Sequence, residues 1–189
     1  MILSNIEIQK AIDEGRLIIT PKPQVGDYDT TAVNLHLGAG LAIPKGGSFN
    51  YDLTKAGFAT FLSRNSDHIE IPSTGYPLEP KNFVLGITTE RVGLPLITGK
   101  TLAPRIEGKS SVARCGLLVH FTAPTVHAGW DGPLALEMIN LGSAAFTLRP
   151  GMAICLLILE LVYGVPVANP SQFHGQTTPT GTARSKAIP

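Results

Sequence analysis

The sequence predicts a mainly β fold, a barrel or jelly-roll of short strands with one short N-terminal helix and one helical turn near Ser110. Three observations carry this expectation. Twenty glycines and fifteen prolines among 189 residues place turns throughout the chain and leave little room for long helices. From Leu17 onward the apolar residues recur with period two or in short runs, which is strand patterning. Hydrophobic residues make up 43% and charged residues 15%, a balance suited to a globular chain that buries further surface by oligomerising.

Taken in order, Ser4 and Glu7 form a capping box, with Ser4 as N-cap and Glu7 at the third helical position. Ile8, Ala11 and Ile12 follow at helical spacing, and Gly15 supplies the stop. Val33, Leu35 and Leu37 alternate with Asn34 and His36 ahead of Gly38, a half-buried strand. Residues 44–80 are rich in Gly, Ser, Asn and Pro and read as an irregular excursion, with a short strand near Ile69 and Ile71. Further strands are expected at residues 83–89, 92–96, 102–106, 117–123, 134–139, 145–148 and 153–162. Ser110 to Arg114 reads as one helical turn. Residues 1–168 are expected to form one β domain, and 169–189, polar and without apolar periodicity, a flexible tail.

Composition also excludes function classes. A formal charge of +1 supplies no global basic field for nucleic acid. The opening MILSNIEIQKAIDEG has acidic residues early and no long apolar run, so it is not a signal peptide. No stretch reaches the roughly 20 apolar residues of a membrane helix; the longest, 154–162, is broken by Glu160. Cys115 and Cys155 read as reduced, buried thiols, and the expected location is the cytoplasm.

Chemistry concentrates in GKSSVARCGLLVHFTAPTVHAGWDGPLALEMIN, from Gly108 to Asn140. Polar groups set among strand residues are costly unless something binds there. Read singly, each has a bland alternative. Glu137 is an edge carboxylate, and Arg114 a cation pairing with the end of its own helical turn. Gly108-Lys109-Ser110-Ser111 looks phosphate-loop-like but lacks Walker spacing. His120 is a packed histidine with one satisfied nitrogen. His68-Ile69-Glu70 is the H-x-E of zinc deaminases, but no P-C-x-x-C partner accompanies it, so no zinc site is expected.

The order of these groups along the chain resembles the dCTP deaminase branch of the dUTPase-like superfamily. The resemblance extends over MILSNIEIQKAIDEGRLIITP, TTAVNLHLG (Thr30 to Gly38), the Leu78-Glu79-Pro80 turn and following strand, and ERVGLP (Glu90 to Pro95). It continues through the central segment, RPGM (Arg149 to Met152) and FHGQTTPTG (Phe173 to Gly181). It implies a dUTPase-like β-barrel, a homotrimer with active sites at subunit interfaces, and deamination of dCTP to dUTP for thymidylate synthesis. It further implies Glu137, Arg114 and Ser110 as the catalytic residues, and Ala123 as the carbonyl that helps hold the attacking water. Lys109, Ser110, Ser111 and Gln176 would meet the triphosphate, and Trp130 stands where the family has an aromatic beside the nucleotide. Mg2+ is implied only as companion of the triphosphate, no zinc is, and dTTP is the inhibitor the resemblance would add. The tail around Phe173 to Thr180 would close over the nucleotide.

The chemistry suits these residues. Water adds at C4 of cytosine while N3 gains a proton and ammonia leaves, and one carboxylate can shuttle that proton. Burial would raise the proton affinity of Glu137, and Arg114 nearby would lower it again.

Three positions depart from the family pattern. His127 replaces an aspartate that contacts the deoxyribose and, in dUTPases, orients the hydrolytic water. Thr125 replaces a frequent arginine near the base, and Gln172 a frequent tail lysine. Two alternatives follow: dUTP pyrophosphate hydrolysis, alone or after deamination, and a catalytically inactive nucleotide-binding regulator.

Overall fold

Ser4 opens α1 (Asn5–Asp13) by accepting the Glu7 N–H at 3.4 Å. The Glu7 carboxylate lies 3.9 Å from Lys10 Nζ rather than closing the reciprocal bond, so half of the capping box forms. Ile8 and Ala11, a turn apart on one face, are fully buried, and Gly15 at φ 69° ends the helix as expected. The computed structural model describes residues 1–47, 50–52 and 54–181.

The chain then runs through β1 (Ile18–Thr20), β2 (Tyr28–Asp29), β3 (Ala32–Pro44), α2 (Phe58–Arg64), β4 (Ser66–Glu70), β5 (Tyr76–Leu78) and β6 (Phe83–Gly93). It continues with β7 (Leu102–Gly108), α3 (Ser110–Ala113), β8 (Leu117–Leu118), β9 (Asp131–Asn140), β10 (Phe146–Leu148) and β11 (Ala153–Leu161). The main sheet runs in the order β7-β11-β3-β6-β9-β8 with antiparallel neighbours; β1 adds to β6, and β2 and β4 add to β3. β5 and β10 pair separately. Beyond β8 the chain crosses to β7, where Ile106 N–H donates to the Pro124 carbonyl and Val126 N–H to the Pro104 carbonyl, each at 2.8 Å. That crossing links the two ends of the strand path, so the sheet nearly closes on itself and few edges stay open.

Period-two burial places the core and the site on opposite faces of one strand. Along β9, Leu134, Leu136 and Met138 point into the core, whereas Ala135, Glu137 and Ile139 stay half-buried on the other face. Leu35, Leu37, Val84, Ile154 and Leu157 close over the inner face from β3, β6 and β11. A truncation such as Leu136→Ala would cost about 2–5 kcal/mol through lost transfer energy and a cavity.

Four sequence expectations need correction. Residues 83–89 and 92–96 were expected as two strands, but β6 is continuous to Gly93. A register shift between Ile87 and Arg91 is bridged by Thr88, whose hydroxyl donates to the Glu90 carbonyl and accepts from Leu134 N–H. The strand at 117–123 shrinks to Leu117–Leu118, because the chain there leaves β9 for β7. The excursion at 44–80 holds a helix, α2, whose Phe58, Phe61 and Leu62 recur at helical spacing. Cys115 is exposed after α3, whereas Cys155 is buried in β11, where burial pushes its thiol up to about 12.

Candidate active site

β9 presents Glu137 opposite Leu85 of β6, and around that carboxylate lies a cavity of about 540 Å3, within the range of small-molecule sites. Phe58 and Leu62 of α2 wall one side, and Phe83 and Leu85 of β6 line it too. Ala123, Thr125 and His127 enter from the crossing segment, Trp130 from the residue just before β9, and Phe173, Gln176 and Thr180 from the tail. Among the described residues that line the cavity, Glu137 is the one carboxylate.

Burial pushes the Glu137 carboxyl above the usual carboxylate range; its own backbone N–H, the His120 imidazole and the Phe121 N–H pull the other way without cancelling the effect. A carboxyl so placed holds a proton more readily than one in water. His120 differs from its expected state. Its Nδ1 is buried with no hydrogen-bond partner among the described residues, and its Nε2 lies 3.8 Å from a Glu107 carboxylate oxygen, beyond hydrogen-bond reach.

The aromatic wall is held rigid. Trp130 Nε1 donates to the Gly132 carbonyl at 2.9 Å, and the His174 ring meets the indole edge-on at 6.2 Å. Phe83 stacks on Phe121 with centroids 5.6 Å apart. The tail lies against this wall: Gly175 N–H donates to the Asp131 carbonyl at 2.8 Å, and Gln176, buried, donates through Nε2 to the Pro133 carbonyl at 3.0 Å. The rest of the expected tail, 182–189, lies outside the described residues.

Lys109, Ser110, Ser111 and Arg114 do not line this cavity. Ser110 and Ser111 stand exposed on α3 and Arg114 exposed at its C-cap, and Lys109, half-buried, donates through Nζ to Asn34 Oδ1. Within one chain the groups opposing burial at Glu137 are backbone N–H groups and His120, and Arg114 is not among them. α3 is seated firmly. Gly116 ends it at φ 96°, Leu141 N–H donates to the Gly116 carbonyl at 2.8 Å, and a Cβ at 116 would meet Gly142 N at 2.5 Å.

The cavity thus joins Ala123, Thr125, His127, Trp130 and Glu137, which fall within one short segment, with Gln176 from the tail, and leaves the Lys109–Arg114 group outside its lining. Sequence reasoning missed Phe58, Leu62 and Phe83; the helical spacing within FATFL was the available signal for the first two. His68 and Glu70 of the H-x-E pair are exposed on β4. His68 Nε2 lies 3.0 Å from the Ser63 carbonyl at the end of α2, and the described residues contain no group of three or more His, Cys, Asp or Glu suited to a metal ion.

The sequence model of the dCTP deaminase-like family matches residues 2–162. The dCTP deaminase of Rhodospirillum rubrum is 36% identical over 174 residues, covering 90% of this chain and 87% of that protein. The dCTP deaminase of Pectobacterium atrosepticum is 36% identical over 175 residues, with coverages of 90% and 88%. Among solved structures, the 2′-deoxycytidine 5′-triphosphate deaminase from Agrobacterium tumefaciens superposes with a TM-score of 0.66 at 18% identity. That superposition covers 85% of this chain and 48% of the Agrobacterium chain, so this protein spans about half of that one. The mainly β architecture expected from the resemblance is present, and the Agrobacterium deaminase shares the fold.

Proposed function

The chain belongs to the dCTP deaminase-like family, and from that premise we propose that it converts dCTP and water to dUTP and ammonia. The observation that carries this reading is Glu137, a lone carboxylate of raised proton affinity in a largely apolar cavity. In the proposed reaction the ionised carboxylate takes a proton from water as its oxygen bonds to C4, and passes that proton to N3. A second proton, from the added hydroxyl, goes by the same carboxylate to the amino group, which leaves as ammonia while the carbonyl forms. The Ala123 carbonyl holds the water, and position and hydrogen bonding activate it without zinc.

Arg114 and Ser110 complete the site by stabilising charge around the carboxylate and base. Since they lie outside the cavity of their own chain, they are read as serving the cavity of a neighbouring copy in a homotrimer. Lys109, Ser110, Ser111 and Gln176 hold the triphosphate, which would bring Mg2+ with it as part of the substrate to reduce its charge. Thr125, His127 and Trp130 face the base and sugar. The dUTP formed in the cytoplasm feeds thymidylate synthesis, with dTTP as inhibitor, and the tail closes over bound nucleotide.

The test is release of ammonia and pyrophosphate from dCTP and from dUTP with Mg2+, run beside Glu137→Gln. Ammonia from dCTP, absent in the variant and without pyrophosphate, is the expected result. Pyrophosphate from dUTP would replace this reading with dUTP hydrolysis or a bifunctional enzyme. That outcome is disfavoured because, among the described residues, the cavity holds His127 and no second carboxylate to orient a water at phosphorus. Nucleotide binding with no product would identify an inactive regulator.

A further inference from the structure

Asn34 sits on β3 almost wholly buried, a polar side chain surrounded by its own strand partners. Its Nδ2 donates to the Asp27 carbonyl at 3.0 Å and to Asp29 Oδ2 at 3.2 Å, and its Oδ1 accepts from Lys109 Nζ. Both amide hydrogens are therefore spent on fixed acceptors. A flipped amide would set its NH2 against the ammonium and its oxygen against a carbonyl and a carboxylate, so only one orientation is stable.

We infer that Asn34 is a positioning residue that holds the Lys109 ammonium ready for the substrate's triphosphate, an inference that rests on the reading of Lys109 as a phosphate contact. Lys109 is fixed at both ends. Its carbonyl accepts from Val112 N–H at 3.0 Å and Ala113 N–H at 2.9 Å, and its Nζ is held by Asn34. A free lysine side chain gives up rotamer freedom when it is ordered. Here that ordering precedes binding, so it does not weaken the complex. An amide acceptor is neutral, so the full positive charge survives. It also uses one of three ammonium hydrogens, leaving two for phosphate oxygens.

The experiment is steady-state kinetics on the full chain with wild type, Asn34→Ala, Lys109→Ala and the double variant. Inorganic triphosphate and deoxycytidine serve as separate competitive inhibitors. Asn34→Ala is expected to raise KM for dCTP and Ki for inorganic triphosphate about tenfold, the scale of one charge-assisted hydrogen bond, with kcat within about twofold. Ki for deoxycytidine should not move, and the double variant should be no worse than Lys109→Ala, because the two changes remove one interaction. If Asn34→Ala does not fold, Asn34→Ser, too short to reach Nζ, enters the same cycle. Additive effects, or equal weakening of deoxycytidine, would overturn the inference and assign Asn34 a structural role alone. Should Lys109→Ala leave triphosphate binding unchanged, the reading of Lys109 itself fails; if Lys109→Ala weakens it while the Asn34 variants are silent, only the positioning role fails.

Discussion

Gln176 donates through Nε2 to the Pro133 carbonyl at 3.0 Å, which fastens the tail to the strand that carries Glu137. Gly132 at the same place leaves the tail room, since a Cβ there would stand 3.4 Å from the Gln176 carbonyl oxygen. A closing segment held by few bonds can also release, which is what a cover over a nucleotide must do. Losing the Gln176 bond should cost about 1 kcal/mol, so Gln176→Ala should lower kcat/KM about fivefold with the fold intact. Deleting residues 169–189 should lower it by more than tenfold on the order of magnitudes expected for a lost closing element. Unchanged kinetics in the deletion would remove the tail from the mechanism.

Glu137 and Arg114 occupy separate surfaces of one chain, and a shared site between copies would reunite them. Glu137→Gln and Arg114→Ala proteins, each inactive alone, should therefore regain activity when mixed, unfolded and refolded together. In a random ring, a site is intact when one neighbour supplies the carboxylate and the next the guanidinium. Equal mixing gives one half times one half, or about a quarter of wild-type sites. No recovery, with hybrid oligomers demonstrated by mass, would place both residues in one chain's site or remove Arg114 from it.

The raised proton affinity of Glu137 has a kinetic and a stability consequence. In the proposed reaction Glu137 starts ionised as the base, so the acid limb of kcat/KM should lie above the ordinary glutamate value of about 4.3. His120 opposes the effect of burial, so His120→Ala should move that limb to still higher pH. For stability, a folded-state value above the unfolded one gives a contribution complete at low pH that is lost as pH rises through the folded value. Glu137→Gln removes this loss. Its gain in thermal stability over wild type should be larger at pH 8 than at pH 4, and a gain that grows toward acid would contradict the assignment.

Elements were legible where local signals were strong. Ser4, Ile8, Ala11 and Gly15 specify α1 by themselves, and the alternation from Val33 to Leu37 specifies β3. The signal for α2, the apolar spacing within FATFL, was easily lost because seven residues of helix sit inside a stretch of Gly, Ser and Pro, too short to be helical by propensity alone. The apolar run 117–123 reads as strand, yet only two residues pair, because the crossing to β7 depends on partners distant in sequence. For the site, residue types and order pointed to Glu137 and to the Lys109–Arg114 group. Their separation on one chain is a property of topology, since α3 hangs from the far end of β7 while Glu137 lies mid-strand in β9.

Asn140 ties those two regions together. Fully buried, it donates through Nδ2 to the Leu78 and Ala144 carbonyls, both at 2.8 Å, and accepts from Gly142 N–H at 2.9 Å. The adjacent Leu141 N–H holds the Gly116 carbonyl, so the turn that Asn140 organises also seats the end of α3. Asn140→Ala would leave two carbonyls and one N–H without partners, and buried orphans cost more than the bonds they once made. A loss of about 3 kcal/mol is expected, which for a chain of this size lowers Tm by roughly 10 °C. Asn140→Asp keeps the acceptor but discards both donors and buries a carboxyl. It should be more damaging at pH 8, where that carboxyl is driven to ionise, than at pH 4. Thermal unfolding of both variants at the two pH values measures this directly. A loss below about 1 kcal/mol in the alanine variant would mean that water replaces the amide, and that α3 is seated by Gly116 alone.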